Sequence, residues 1–339
     1  MSAPNPSGPS VREIDPRYVV PGGRIAIRGQ GFLPERAHAH HVFFGEDPAR
    51  ITRVSSDTIS VIVPEDAQSS ACDVRVEIDG ASTEAHPVSL AWSIAEDVQP
   101  VANPVFDGDG SLYVTLSGAR GEKQPVSVYR ISPDGDVEPY LSGILNPTGL
   151  AWGPDDCLYI SSRAEGTVYR ASSSQEIDVY ADELGTATGI AFDREGILHV
   201  GDRRGTIFRI EPNGEPRSFC HLEPSVAAYH LAFGPDGSLF VTAPSLSPVD
   251  PVYRISVDAD VEVFCRGFGR PQGLAFDDNA TLYVTEGLVG DSGVYRVGPD
   301  RTPVRIVAAP PIVGLAFDAG GALALAGGSS VYKVDLGVT

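Results

Sequence analysis

The hydrophobic positions of the chain beyond residue 100 repeat in a fixed order. An apolar quartet that ends in an aromatic side chain occurs six times, and the aromatic residues lie 40 to 46 positions apart. A turn rich in Asp and Gly follows each quartet, and then comes a second apolar segment such as Leu-Tyr-Val. A third segment alternates apolar and polar residues, as a strand with one solvated face does. The six aromatic residues are Phe106, Trp152, Phe192, Phe233, Phe276 and Phe317.

A fourth strand completes each of the first five units, and four strands in about 40 residues are typical of a propeller blade. We therefore predict a six-bladed β-propeller over residues 93–339. The sixth unit has no fourth strand of its own before Thr339. Because an open ring would expose unpaired strand edges, we expect residues from about 92 to 98 to supply the outer strand of the last blade.

The first ninety residues have a different pattern. Residues 24–28, 58–63 and 73–78 alternate apolar and polar side chains, and turns rich in Gly and Pro separate them. Short strands of this kind predict a small β-sandwich over residues 9–92. Because no segment combines helix caps with a period of 3.6 residues, we expect an all-β protein.

Composition narrows the classes of partner. Among the 339 residues, 25 Lys and Arg stand against 45 Asp and Glu, which gives an acidic net charge of −20 and argues against nucleic acid. No apolar run approaches the roughly 20 residues of a membrane span. The first residues lack the pattern of a secretory signal, so we expect a cytoplasmic protein, or an extracellular one if the sequence is a trimmed mature form. The four cysteines form no CxxC pair and are expected to be buried thiols.

Residues 9–92 resemble the IPT/TIG domain, an immunoglobulin-like module. The resemblance is carried by IDP at residues 14–16, PGGRIAIRGQGF at 21–32, VFFG at 42–45 and TISVIVP at 58–64. Modules of this family serve as spacers, binding surfaces or dimerisation elements. The resemblance therefore implies contact with a protein partner, or an oligomer formed through this domain.

Residues 101–339 resemble propellers of the NHL-repeat type and, more broadly, the gluconolactonase/senescence-marker-protein family. Phrases such as PQGLAF at 271–276 and LYVT at 282–285 carry this resemblance. The lactonase family holds a divalent cation with a glutamate in blade 1 and with Asn or Asp before the blade glycines. Here Ala102 precedes Asn103 where the glutamate is expected, and the other positions hold Thr148, Thr188, Tyr229 and Gln272.

A hard cation prefers several oxygen ligands that include carboxylates. We therefore expect no cofactor, with calcium or another divalent cation in a rearranged site of Asn103, Asp202 and Glu286 as the alternative. His230, which replaces a repeat glycine, is the candidate catalytic residue as a general base, because an imidazole titrates near neutrality. Alternatively, its ring is simply hydrogen-bonded where the channel is wide.

The residues before each first strand and after each second strand are expected to line one mouth of the ring. Arginine suits the recognition of carboxylates, although a solvated rim of salt bridges is an equally good interpretation. The predicted ligand-binding residues are Thr148, Arg163, Thr188, Asp202, Arg203, Tyr229, His230, Gln272 and Glu286.

Two hypotheses about function follow from these features. The first is a binding or interaction protein that presents the propeller mouth and the immunoglobulin-like module to a small polar ligand or a protein partner. The alternative is a divergent lactonase-like hydrolase or lyase that acts at the central channel. The missing cation ligands favour the first hypothesis, and whether the protein is an enzyme stays open at this point.

Overall fold

The computed structural model describes residues 8–67, 71–288 and 290–337. The chain divides into two compact units, one formed mainly by residues up to Trp92 and the other mainly by residues from Ser93 onward. Strands and turns make up nearly all of both units, as the alternating patterns predict. Within the described ranges, no helix is long and apolar enough to cross a membrane.

The first unit is a sandwich of two sheets. One sheet has the order β1-β3-β7-β6, the other contains β2, β10, β8, β4 and β5, and β9 pairs with β8. A short 3-10 helix covers Pro34–Ala39. The strand bounds are β1 Ser10–Asp15, β2 Tyr18–Val19, β3 Arg24–Gln30, β4 His40–Phe44, β5 Asp47–Pro48, β6 Arg50–Val54, β7 Thr58–Ile62, β8 Ala71–Ile78, β9 Ala81–Ser82 and β10 His86–Leu90.

Alternation along the strands builds the core of the sandwich. Ile25 and Ile27 of β3 and Val74 and Val76 of β8 are fully or almost fully buried in one apolar cluster. The residues between them point to the other face, because successive side chains in a strand alternate. The N-terminal unit is thus the immunoglobulin-like sandwich that the sequence predicts.

The second unit is a six-bladed propeller. Blades 1 to 5 each order their four strands as they follow in the chain, and every neighbouring pair is antiparallel within the described registers. The strand bounds are, for blade 1, β12 Val105–Phe106, β13 Leu112–Thr115, β14 Val128–Ile131 and β15 Val137–Leu141; for blade 2, β16 Pro147–Trp152, β17 Leu158–Ser162, β18 Thr167–Ala171 and β19 Ile177–Ala181; for blade 3, β20 Ala187–Phe192, β21 Leu198–Asp202, β22 Thr206–Ile210 and β23 Pro216–His221; for blade 4, β24 His230–Phe233, β25 Leu239–Thr242, β26 Asp250–Ile255 and β27 Val261–Phe268; and for blade 5, β28 Pro271–Phe276, β29 Leu282–Glu286, β30 Gly293–Val297 and β31 Pro303–Ala308.

Blade 6 combines strands from two distant parts of the chain. Its order is β11-β34-β33-β32, where β11 is Trp92–Ala95, β32 is Gly314–Phe317, β33 is Leu323–Gly327 and β34 is Ser330–Val334. The strand on the outside of this blade therefore precedes blade 1 in sequence. The exact bounds of the two domains, residues 9–92 and 93–339, remain a prediction.

Aromatic pairs join neighbouring blades. The aromatic residue that ends a first strand packs edge to face on the second strand of the preceding blade, as between Trp152 and Tyr113, whose ring centroids are 5.2 Å apart. Ala324 occupies the equivalent position in blade 6, so the junction between blades 6 and 1 has no such pair. The other pairs are Phe192 with Tyr159, Phe233 with His199, Phe276 with Phe240, and Phe317 with Tyr283.

The Asp residue that follows four of the six aromatic residues holds the turn after it. Asp107 accepts a hydrogen bond from the amide of Ser111 at 2.8 Å and another from the Tyr113 hydroxyl at 3.1 Å. Asp277 does the same with Thr281 and Tyr283. These carboxylates close hairpins, a role that suits Asp because its side chain readily bonds nearby backbone amides.

Candidate functional site

A cavity of about 560 Å³ opens at the end of the propeller where the first strands finish. The aromatic residues that end the six first strands lie around it, and small side chains such as Ala151, Ala191, Ala232, Ala275 and Ala316 line its wall. Asn103 and His230 lie at the inner end, where these strands begin. The cavity is thus mainly apolar, with polar groups at its base.

Most of the blades need glycine at the base of the cavity because neighbouring first strands approach closely there. A Cβ atom added at Gly189 would overlap the carbonyl oxygen of Tyr229, and one at Gly149 would overlap that of Thr188. Blades 1 and 4 depart from this rule with Asn103 and His230. At Gly149 and Gly189, the close approach of neighbouring first strands leaves no room for a side chain at this position. Blades 1 and 4 differ from this pattern because they carry a side chain there.

His230 is a buried, neutral imidazole. Burial lowers the pKa of His230 to about 4, and the side chain of Gln272 beside the ring offsets this shift only in part. Its Nε2 atom has no hydrogen-bond partner among the described residues, although the ring lines the cavity. A neutral imidazole nitrogen can donate or accept a hydrogen bond, depending on the tautomer. His230 therefore has a buried ring nitrogen without a hydrogen-bond partner and is one of the residues that line the cavity.

Asn103 is held on both sides of its amide. Its Nδ2 donates to the carbonyl of Leu274 at 2.9 Å, and its Oδ1 accepts from the amide of Leu315 at 3.2 Å. The side chain thereby links blade 1 to blades 5 and 6. The role of the Asn103 side chain is therefore structural. The Nε2 atom of His230, by contrast, has no hydrogen-bond partner among the described residues.

Several predicted mouth residues lie buried at the opposite end of the first strands. Thr188 is buried, and its hydroxyl donates to the carbonyl of Gly201 and accepts from the amide of Tyr229. Thr148 donates to the carbonyl of Asn146. The Tyr229 hydroxyl donates to the carbonyl of Glu223, and burial is the main reason that its pKa is raised. These side chains do not line the cavity, and a ligand-binding role for Thr148, Thr188, Tyr229 and Gln272 stays a prediction.

Two buried carboxylates organise loops at that same end. Glu286 accepts hydrogen bonds from the amides of Gly269, Arg270 and Leu288 at 2.7 to 2.8 Å. Asp202 accepts one from the amide of Thr186 at 2.8 Å. Each carboxylate is satisfied by backbone groups, as a buried charge requires.

The alternative cation site was expected to combine Asn103, Asp202 and Glu286. They belong to blades 1, 3 and 5, and their oxygens already accept backbone hydrogen bonds. Within the described ranges, no group of three or more His, Cys, Asp or Glu side chains is placed to hold a metal ion. Asn103, Asp202 and Glu286 therefore do not fit a site for a divalent cation.

Arg163 and Arg203 lie in the loops that follow the second strands of blades 2 and 3. Antiparallel pairing places these loops away from the cavity, because Pro147 faces Ser162 at one end of β16 while Trp152 faces Leu158 at the other. The predicted residues thus divide between two ends of the ring. His230 and Asn103 belong to the cavity, and the arginines and buried carboxylates to the opposite end.

Sequence reasoning missed the apolar wall of the cavity. The aromatic residues of the quartets pack between blades. The missed signal is the alanine that precedes five of the six aromatic residues, because a small side chain at one register in successive blades leaves space at the centre.

A model of the IPT/TIG domain matches residues 9–90. A search of curated proteins gives no match to the sequence. Among solved structures, the chain is similar to an auxiliary nutrient binding protein from Bacteroides thetaiotaomicron at 13% identity and a TM-score of 0.58, with 97% of this chain and 98% of that one covered. A putative gluconolactonase has 17% identity and a TM-score of 0.59, over 72% and 90% of the two chains.

A virginiamycin B lyase from Staphylococcus aureus, solved with quinupristin, is also similar. It has 15% identity and a TM-score of 0.53, over 89% of this chain and 97% of that one. Identities this low show a shared fold alone. The family match shows an IPT/TIG domain at residues 9–90, and the structural likenesses show that the chain shares its fold with these proteins.

Proposed function

We propose that this protein is a binding protein that takes up a small, mainly apolar molecule in the central cavity of its propeller. The observation that supports the proposal is His230, a residue that lines the cavity and whose buried Nε2 atom has no hydrogen-bond partner among the described residues. A buried polar atom without a partner is costly, and a ligand that hydrogen-bonds to it removes that cost. The ligand class that fits best is a compact ring system with one hydroxyl or carbonyl group.

Charge at the rim of the cavity favours a ligand without negative charge. Asp278 and Asp318 line the outer part, and Asp318 also pairs with Lys333 at 2.7 Å. A neutral imidazole at the base adds no positive charge at pH 7. A carboxylate ligand would therefore meet like charge at the entrance and no cation inside.

The alternative of a lactonase-like hydrolase or lyase receives less support. A general base works best with a pKa near the working pH, and the lowered pKa of His230 makes it a weak base. The carboxylates that would assist it, Asp202 and Glu286, are saturated by backbone amides. Binding without turnover is the simpler use of this arrangement.

The N-terminal sandwich enters the proposal as the part that contacts a protein partner or a second copy. Its match to the IPT/TIG domain supports this assignment. Light scattering of the whole chain and of a chain that lacks residues 1–90 tests the self-association. A mass of two or more chains for the whole protein but of one chain for the shortened protein supports self-association, and the mass of a single chain for both contradicts it.

The cavity is tested with 2-naphthol, and with naphthalene as the same ring system without the hydroxyl. Calorimetry measures the binding of both compounds to the wild type, to His230→Gly and to Ala275→Leu. His230→Gly removes the polar contact, and Ala275→Leu fills part of the cavity. We expect 2-naphthol to bind the wild type about ten-fold more tightly than naphthalene, which is the worth of one buried hydrogen bond. His230→Gly should remove that preference, and Ala275→Leu should weaken both compounds.

His221→Ala, on the exposed edge of blade 3, is the matched control and should bind both compounds as the wild type does. Equal binding of 2-naphthol by wild type and Ala275→Leu would exclude the cavity as the site. The same variants are assayed with a panel of lactones. Turnover that His230→Gly abolishes would replace the binding proposal with the hydrolase alternative.

A further inference from the structure

Three arginine side chains come from equivalent loops of neighbouring blades. Arg120, Arg163 and Arg203 follow the second strands of blades 1, 2 and 3. All three loops lie at the end of the propeller opposite the cavity, because second strands run antiparallel to first strands.

Backbone carbonyls fix two of these side chains without neutralising them. Arg163 donates from Nη2 to the carbonyl of Gly118 at 3.0 Å, which ties it to the loop that carries Arg120. Arg203 donates from Nη2 to the carbonyl of Val226 at 2.7 Å. A carbonyl bears only a partial charge, so both guanidinium groups keep their full positive charge.

The positive charge of the cluster is not balanced by ion pairs. Other propeller arginines pair with carboxylates, as Arg170 does with Asp155 at 2.6 Å. Arg120, Arg163 and Arg203 form no ion pair within the described part of the chain. This is notable in a protein whose net charge is −20, because carboxylates are abundant.

The carboxylates nearest in sequence are already committed. Glu122 accepts the amide of Ala119 at 3.0 Å, and Glu165 accepts the Tyr169 hydroxyl at the same distance. Asp202, the residue before Arg203, accepts the amides of Thr186 and Arg204. The acidic groups of these loops thus accept hydrogen bonds from backbone amides or hydroxyls of the same or neighbouring loops and strands.

Donor atoms of the cluster remain unsatisfied. The Nε atoms of Arg163 and Arg203 are buried and have no hydrogen-bond partner among the described residues. Burial lowers the pKa of Arg163, and the charges of Arg203 and Arg120 lower it further. The charges of Arg120 and Arg203 thus act on the Arg163 guanidinium, an arrangement that costs stability unless an anion lies beside it.

We propose that Arg120, Arg163 and Arg203 form a second binding site, for a small ligand that carries a phosphate or carboxylate group. The planar guanidinium fork matches the oxygens of such oxyanions, and their negative charge would balance the positive charge of the three arginines. This site goes beyond the proposed function. It lies at the end of the ring opposite the cavity, and it would bind negatively charged ligands, which the cavity disfavours.

Inorganic phosphate and citrate are the two probes, and they distinguish phosphate from carboxylate ligands. Calorimetry at low ionic strength, with chloride at the same ionic strength as reference, measures their binding to the wild type, Arg163→Gln and Arg203→Gln. We expect one site per chain in the wild type and a loss of about ten-fold or more in each variant. Arg266→Gln, an exposed arginine of blade 4, controls for the change in net charge and should bind as the wild type does.

Thermal unfolding without added anion separates a binding site from a structural rim. Removal of one of three repelling charges should leave the melting temperature of Arg203→Gln unchanged or raise it, while a structural salt-bridge rim would lose stability. The variant should also lose the rise in melting temperature that the anion gives the wild type. A wild type that binds neither probe, or variants that bind as it does, would overturn the proposal, whereas binding of 2-naphthol is independent of this outcome.

Discussion

The two ends of the propeller contain the same repeated strands but use their side chains in opposite ways. At the cavity end, aromatic and alanine side chains surround open space, and one buried imidazole has an unpartnered nitrogen. At the other end, Asp202, Thr188 and Glu286 are buried and form hydrogen bonds to backbone groups. The difference shows that polar residues at a predicted mouth are not by themselves a binding site.

The physical reason lies in the shape of a blade. First strands of neighbouring blades come so close at one end that glycine is needed at several positions, and the backbone groups exposed there need side-chain partners. Toward the other end of the first strands, the cavity of about 560 Å³ leaves room for a ligand. Residues that depart from the repeat, such as His230, therefore carry more functional information than residues that obey it.

The largest change in stability is expected for Glu286→Ala, which tests the contrast between the two ends of the propeller. Removal of the carboxylate leaves the amides of Gly269, Arg270 and Leu288 without their acceptor. We expect the free energy of unfolding to fall by about 4 kcal/mol, measured by urea denaturation with tryptophan fluorescence. Glu138→Ala, on the exposed outer strand of blade 1, should change it by less than about 0.5 kcal/mol. Equal effects of the two variants would mean that the buried carboxylate does not organise its end of the ring.

The pH dependence of stability tests the cavity end. His230 titrates near pH 6.5 in the unfolded chain and at about 4 in the folded one, so protons favour the unfolded state between these values. As the pH falls from 6.5 to 4, its contribution to the free energy of unfolding should decrease by about 3 kcal/mol and then level off.

The contribution of His230 to the pH dependence of stability is obtained by comparing the wild type with His230→Gln. His230→Gln should lose this part of the acid sensitivity and keep the part due to His199, whose pKa is also lowered by burial. Urea denaturation at several pH values compares the two proteins. Parallel stability curves for wild type and His230→Gln would show that the imidazole is not buried as a neutral group.

The smallest effect is expected from Thr188→Val. The two side chains have nearly the same shape, but valine cannot accept from the amide of Tyr229 or donate to the carbonyl of Gly201. The free energy of unfolding should fall by about 2 kcal/mol, because two buried backbone groups lose a partner. Thr302→Val, at an exposed turn, should be neutral within about 0.5 kcal/mol. If Thr188→Val left the free energy of unfolding unchanged, the predicted ligand-binding role of Thr188 would be favoured over a structural one.

Much of the fold could be predicted because blade repeats leave a periodic hydrophobic pattern. The quartets, their spacing and the alternating third strands indicate six blades, and the sandwich follows from its own alternation. Three of the four cysteines, Cys157, Cys220 and Cys265, are buried as expected, and Cys72 is half-buried. Burial raises the pKa of both Cys220 and Cys265 to about 11, which makes these thiols unreactive near neutrality.

The candidate sites were less predictable. The sequence identifies His230 as a departure from the repeat, but its missing partner depends on the distance between blades 4 and 5. Arg163 and Arg203 were predicted as binding residues, whereas Arg120 was not, because its loop in blade 1 differs in length from its counterparts. Distances between loops of separate blades are tertiary facts that no local pattern contains.

The composite sixth blade has a consequence for the order of synthesis on the ribosome. Strand β11 emerges before blade 1, but its partner β34 emerges only after the other five blades are complete. A contact between such distant segments is slow to form. Until then, the nascent chain carries an unpaired strand edge on which chaperones, or a neighbouring chain on the same polysome, can act.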